Sequence, residues 1–201
     1  MNTKEAKTSI DDIRDMMEKA SKFLVISGFS AIFIGLWALA GGLTAWWLLQ
    51  NPFGWEQCSI KFTVTALALL TFAGAVTIAA VFSLRNAHKS GSSIFSKTAV
   101  KVYFAFLMPL VPGAILCPAM VFGNHQEAVV YVPAVMLLLY AVALINLSHY
   151  YREETRIMGY CVMAIGCIAC LLPAYGIFCW LVGFGVMHII FGIILFIRYE
   201  R

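Results

Sequence analysis

The sequence predicts an all-α fold: a polytopic membrane protein, a six-transmembrane-helix bundle preceded by a short amphipathic cytosolic helix. Three observations carry this expectation. Hydrophobic residues make up 62% of the 201 and charged residues only 12%, against about 25% charged in soluble domains. The charges are also segregated, with no Asp, Glu, Lys or Arg in 23–55, 62–84, 102–126, 128–151 or 157–197. Finally, thirteen of the fourteen lysines and arginines fall on one side of the helices these tracts define, leaving Lys61 on the other.

A bilayer core takes about 20 apolar residues per helix, so the tracts supply six crossings. They lie near 23–49, 61–83, 100–122, 128–148, 157–173 and 177–197, the last two divided by "PAYG" at 173–176. The chain therefore divides into a cytosolic or interfacial segment, 1–22, and a transmembrane domain, 23–201. "ALAG" at 38–41 offers a small-residue cleavage pattern. The region before it is long and carries five acidic residues, unlike a signal-peptide n-region, so the first crossing is expected to be retained.

The basic residues set the orientation. Lys4, Lys7, Arg14, Lys19 and Lys22 precede the first crossing; Arg85, Lys89, Lys97 and Lys101 lie in the second loop, Arg152 and Arg156 in the fourth, Arg198 and Arg201 in the tail. The positive-inside rule places both termini and the 84–100 loop in the cytoplasm. Aromatic residues mark both interfaces, with Trp46, Trp47, Trp55, Tyr175 and Trp180 outside and Tyr103, Tyr150, Tyr151 and Tyr199 inside. The formal charge of +4 follows from this asymmetry and implies a lipid bilayer as partner, with no role for nucleic acid.

Ahead of the first crossing, Ile10, Ile13, Met17, Ala20 and Leu24 form one apolar stripe. Ser9 with Asp12 supplies a helix start, and Arg14 with Glu18 and Asp15 with Lys19 are i,i+4 pairs. The segment 9–24 reads first as an interfacial helix. The alternative is a docking element for a cytosolic partner or a second copy, giving a homo-oligomer.

The interior restricts the chemistry. No carboxylate or lysine lies within a crossing beyond the terminal Lys61 and Lys101, which weakens ion-coupled transport. His188, roughly 13 Å from the inner end of the sixth crossing, reads as a neutral histidine bonded to a neighbouring helix; a haem-ligand or proton-relay role is the alternative. In "MPLVPGAILCP" (108–118), Pro109, Pro112 with Gly113, and Pro118 are expected to bend or break the third crossing between Met108 and Pro118. A second kink is expected at Pro133. Because lipid cannot satisfy freed carbonyls, these prolines are expected to be buried, either in a kinked packing helix or in a discontinuous helix lining a small-solute cavity. Pro109, Pro112, Gly113, Pro118 and His188 are thus the candidate cavity residues.

Small residues at helix-contact spacing, Ser27, Ala31, Gly35, Ala38 and Gly42, then Thr71, Ala75 and Ala79, predict close helix packing. "CIAC" at 167–170 reads as packing, and no metal, cofactor or catalytic constellation is recognisable. The cysteines are expected to be reduced. Cys170 and Cys179, which flank the turn between the last two crossings, are the favoured pair if any disulfide forms.

"ALINLSHYYREETRIMGYCVMAIG" (142–166), "GFGVMHIIFGIILFIRYE" (183–200) and "DIRDMMEKASKFLVISG" (12–28) resemble an uncharacterised family of small six-helix bacterial inner-membrane proteins. The resemblance spans nearly the whole chain and is weakest in the middle crossings. It implies a fold and a location, and no functional residues, because the family has no assigned activity. The leading functional expectation is a non-enzymatic accessory, stress-related or regulatory membrane protein. A transporter or channel for a small neutral or apolar solute comes second, and a haem protein or other membrane enzyme third.

Overall fold

The computed structural model describes residues 27–51, 57–90, 97–124 and 126–200; the 9–24 segment lies outside them. Among the described residues all regular structure is helical. The elements are α1 (Gly28–Gln50), α2 (Gln57–Ser90), α3 (Lys97–Leu107), α4 (Leu110–Phe122), a 3-10 turn (Gln126–Tyr131), α5 (Val132–Ser148) and α6 (Glu153–Leu171). A second 3-10 turn (Pro173–Tyr175), α7 (Gly176–Trp180), a π-helical stretch (Leu181–Val186) and α8 (Met187–Tyr199) complete the chain. Together they make six segments long and apolar enough to cross a bilayer, Gly28–Gln50, Ser59–Arg85, Val100–Phe122, Glu127–Ser148, Glu153–Leu171 and Pro173–Tyr199.

Local chemistry explains the boundaries. Ser27 caps α1: its Oγ accepts from the Ser30 N–H at 3.1 Å, and the Ser30 hydroxyl returns to the Ser27 carbonyl at 2.8 Å. The fifth segment begins at Glu153, four residues before the uncharged tract, because its first turn can be charged. Glu153 pairs with Arg156 and Glu154 with Arg198. The third segment is interrupted as expected. Leu107 ends α3, Met108 and Pro109 form a turn, and α4 resumes at Leu110. Pro133 behaves otherwise than expected. It occupies the first turn of α5, where no backbone donor is needed, and starts that helix instead of kinking it.

The core is shared by segments one, four, five and six. Ala31, Ala134, Leu137, Ala141, Leu144, Met158, Val162, Ala169, Phe191 and Leu195 form one buried cluster. Segments one and six pack antiparallel through glycines. A Cβ on Gly28 would lie 2.5 Å from the Gly192 carbonyl oxygen, and one on Gly35 would lie 2.7 Å from that of Gly185. Both glycine series repeat every seven residues, so the contact stays on one face of each helix. Segments four and five pair likewise, with Gly159 against Ala141 and Ile145, and Gly166 against Leu137 and Leu138. Backbones approach this closely only without side chains between them. Without a hydrophobic drive in lipid, such contact supplies the dispersion energy that holds helices together.

Segments two and three are peripheral. α2 lies along α1, and α4 lies mainly on α5. No residue of α4 is buried.

Candidate functional site

The buried polar centre lies between segments four and six. His188, the second residue of α8, is 7% exposed, and its Nε2 lies 2.7 Å from the Tyr140 hydroxyl of α5. The two rings are stacked, with centroids 5.5 Å apart and planes inclined by 23°. Phe184 continues the stack against Tyr140 at 4.9 Å, Trp180 packs on Phe184 at 5.0 Å, and Phe106 of α3 meets Tyr140 edge-on.

The π-helical stretch explains the histidine's position. The Met187 N–H bonds to the Val182 carbonyl, five residues back, and the return to four-residue spacing passes over one carbonyl. The Nδ1 of His188 is buried and has no hydrogen-bond partner among the described residues. The bond between Nε2 and the Tyr140 hydroxyl takes the direction that the imidazole tautomer sets. This arrangement ties one ring nitrogen to segment four and packs the ring against Tyr140 and Phe184.

The prolines do not join His188. Pro112 and Pro118 are exposed, whereas Pro109 and Gly113 are half-buried, and a Cβ on Gly113 would sit 3.0 Å from Leu139. The expected burial of the broken segment is therefore corrected: its exposed side turns away from the bundle. Only Phe106, just before the break, reaches the polar centre. Cys170 and Cys179 are both free thiols, exposed and half-buried respectively, and no disulfide joins them. Among the described residues no three His, Cys, Asp or Glu side chains converge as metal ligands would.

Elsewhere, four threonines turn their hydroxyls to their own helices, whereas the buried Thr155 hydroxyl has no hydrogen-bond partner among the described residues. The hydroxyls of Thr44, Thr63, Thr71 and Thr77 donate to the carbonyls of Ala40, Ser59, Leu67 and Ala73. The Trp37 indole N–H donates to the Thr71 carbonyl at 2.9 Å, joining α1 to α2. A cleft of about 140 Å³ opens beside this bond, lined by Trp37, Ala40, Gly41, Thr44, Leu67, Leu70 and Thr71.

At the end carrying the basic residues, a clamp joins three segments. Arg198 and the Tyr199 hydroxyl both donate to Glu154 Oε1, at 2.6 and 2.9 Å. The Arg152 guanidinium lies 3.4 Å from the Tyr199 ring centroid, and Glu200 accepts from the Gly28 N–H at 2.6 Å.

Tyr140 and this clamp had no sequence signal. A tyrosine inside "LLLYAVAL" looks like any lipid-facing aromatic, and the clamp's members lie 44 or more residues apart. No protein-family model, curated relative or solved structure matches the chain, so the geometry alone bears on function.

Proposed function

We propose that this chain is a multi-pass protein of a bacterial inner membrane, both termini cytoplasmic, that serves as a non-enzymatic accessory or regulatory component. It acts through contacts with other membrane components. The six long apolar helices support membrane insertion, and the thirteen-to-one distribution of basic residues supports the orientation.

One observation carries the functional reading: the interior is occupied by packing. His188 is bonded to Tyr140, the hydroxyls of Thr44, Thr63, Thr71 and Thr77 are bonded to their own helices, and glycine contacts close the space between segments one and six. A conducting path or active site needs polar groups left available to a substrate. The solute-cavity reading was motivated by inward-facing prolines, and Pro112 and Pro118 are exposed.

The test is reconstitution into vesicles. Stopped-flow light scattering after glycerol or urea gradients should match protein-free vesicles, and the purified protein should lack a haem absorption band. Accelerated solute entry or a stoichiometric haem spectrum would overturn the reading. Reporter fusions should place the C-terminus in the cytoplasm.

A further inference from the structure

The cleft between α1 and α2 opens sideways, apart from the polar centre between segments four and six. Of its lining, Trp37 and Leu70 are 40% and 60% exposed, whereas Thr71 is 7% exposed. Thr71 lies roughly 18 Å from Ser59 along a 27-residue segment, which puts the cleft near mid-bilayer. Glycines fix its walls. A Cβ on Gly41 would overlap the Thr71 hydroxyl oxygen, and one on Gly74 would overlap the Trp37 indole nitrogen. The bond from the Trp37 N–H to the Thr71 carbonyl holds the indole in place.

This lining offers acceptors and no donor. The Trp37 N–H is committed to the Thr71 carbonyl, the Thr44 hydroxyl proton to Ala40 and the Thr71 hydroxyl proton to Leu67. What remains are lone pairs on the two threonine oxygens. Lipid tails are as apolar as the leucine wall, so an acyl chain gains nothing specific by entering. A hydroxyl does gain, because hydrocarbon denies it a hydrogen-bond partner. The volume, about 140 Å³, is close to the roughly 150 Å³ of an apolar cavity that takes up benzene. Trp37 adds an aromatic wall on which a ring can pack.

We propose that this cleft binds a hydroxyl-bearing aromatic ring dissolved in the bilayer, a phenol or the head group of a quinol, which donates its O–H to the Thr44 or Thr71 hydroxyl oxygen. A quinone, the oxidised counterpart, carries carbonyl acceptors and finds no donor in the lining, so the site selects the reduced ring. Such binding is independent of the accessory reading, since the ring enters sideways from lipid and the packed interior stays closed.

The probe is a phenol carrying a diazirine, with its O-methyl ether as control, photolysed with the full chain in phospholipid nanodiscs. Peptide mapping should find saturable phenol labelling at 37–44 of α1 and 67–71 of α2. The ether should label about threefold to fifteenfold less, the range of measured hydrogen bonds between membrane helices. Ala40→Leu fills the cleft from an exposed position and should abolish the labelling, with circular dichroism confirming the fold. Thr44→Val and Thr71→Val each remove one acceptor, and the one that holds the ring should bring the phenol down to the level of the ether. A benzoquinol that competes assigns the ligand to a quinol; one that does not, beside a phenol that still outdoes its ether, leaves simple phenols. Equal labelling by phenol and ether, labelling that does not saturate or ignores Ala40→Leu, indifference to both valine variants, or a benzoquinone that competes as well as its quinol would overturn the proposal.

Discussion

Replacing Tyr140 with Phe tests the polar centre with a single atom. The ring remains, so its stacking on Phe184 at 4.9 Å and its edge contact with Phe106 are kept. What is lost is the hydroxyl 2.7 Å from His188 Nε2. Since His188 is 7% exposed, no bulk water replaces that partner. An orphaned buried donor or acceptor costs about 1–3 kcal/mol, whereas hydrogen bonds between membrane helices average about 0.6 and reach about 1.7 kcal/mol. We expect a loss of about 1–2 kcal/mol, the overlap of the two ranges. For a chain of this size this lowers the unfolding temperature by roughly 2–8 °C. Thermal unfolding in detergent, followed by tryptophan fluorescence, measures it, because Trp180 packs on Phe184 in the same stack. His188→Phe supplies the second arm of a double-mutant cycle: with no Nε2 to orphan, Tyr140→Phe should then cost nearly nothing. A Tyr140→Phe variant as stable as the parent, or one equally costly in both backgrounds, would refute the hydrogen bond between Tyr140 and His188.

Three further outcomes follow from the packing. Gly35→Ala should cost about 1–3 kcal/mol, since the new Cβ meets the Gly185 carbonyl oxygen and the Ile189 backbone nitrogen. Gly183→Ala should cost less, because its nearest neighbour is a Leu137 methyl that can rotate away; the same unfolding assay ranks them, and a reversed order would contradict the glycine contact. At the clamp, Tyr199→Leu should destabilise more than Tyr199→Phe. The leucine removes the ring under Arg152, worth about 0.5–1 kcal/mol at an exposed site, whereas the phenylalanine loses only the hydroxyl on Glu154; equal effects would remove the ring from the account. Thiol counts on denatured protein should agree with and without reductant, because Cys117, Cys161, Cys167, Cys170 and Cys179 are free. A rise of two on reduction would reveal a bridge.

The sequence by itself determined how many helices could cross a bilayer and roughly where each lies, because those depend on the length of charge-free tracts; the ends shift, by four residues at Glu153 and Pro173. It also located the break at Met108 and Pro109, a local consequence of proline's missing donor. The orientation rests on the basic residues alone. What only the tertiary structure decided is which side of each helix faces inward. In a soluble helix a polar stripe marks the outside, but α1 and α5 are apolar all round, and lipid and core demand the same residue types. Close contact of backbones left a trace, in the glycines of segments one and six. The outward turn of Pro112 and Pro118 left none, because proline disturbs its helix alike on either face. Nor did the bond between Tyr140 and His188, 48 residues apart, whose existence depends on two helices meeting at one depth and rotation, which no local pattern encodes.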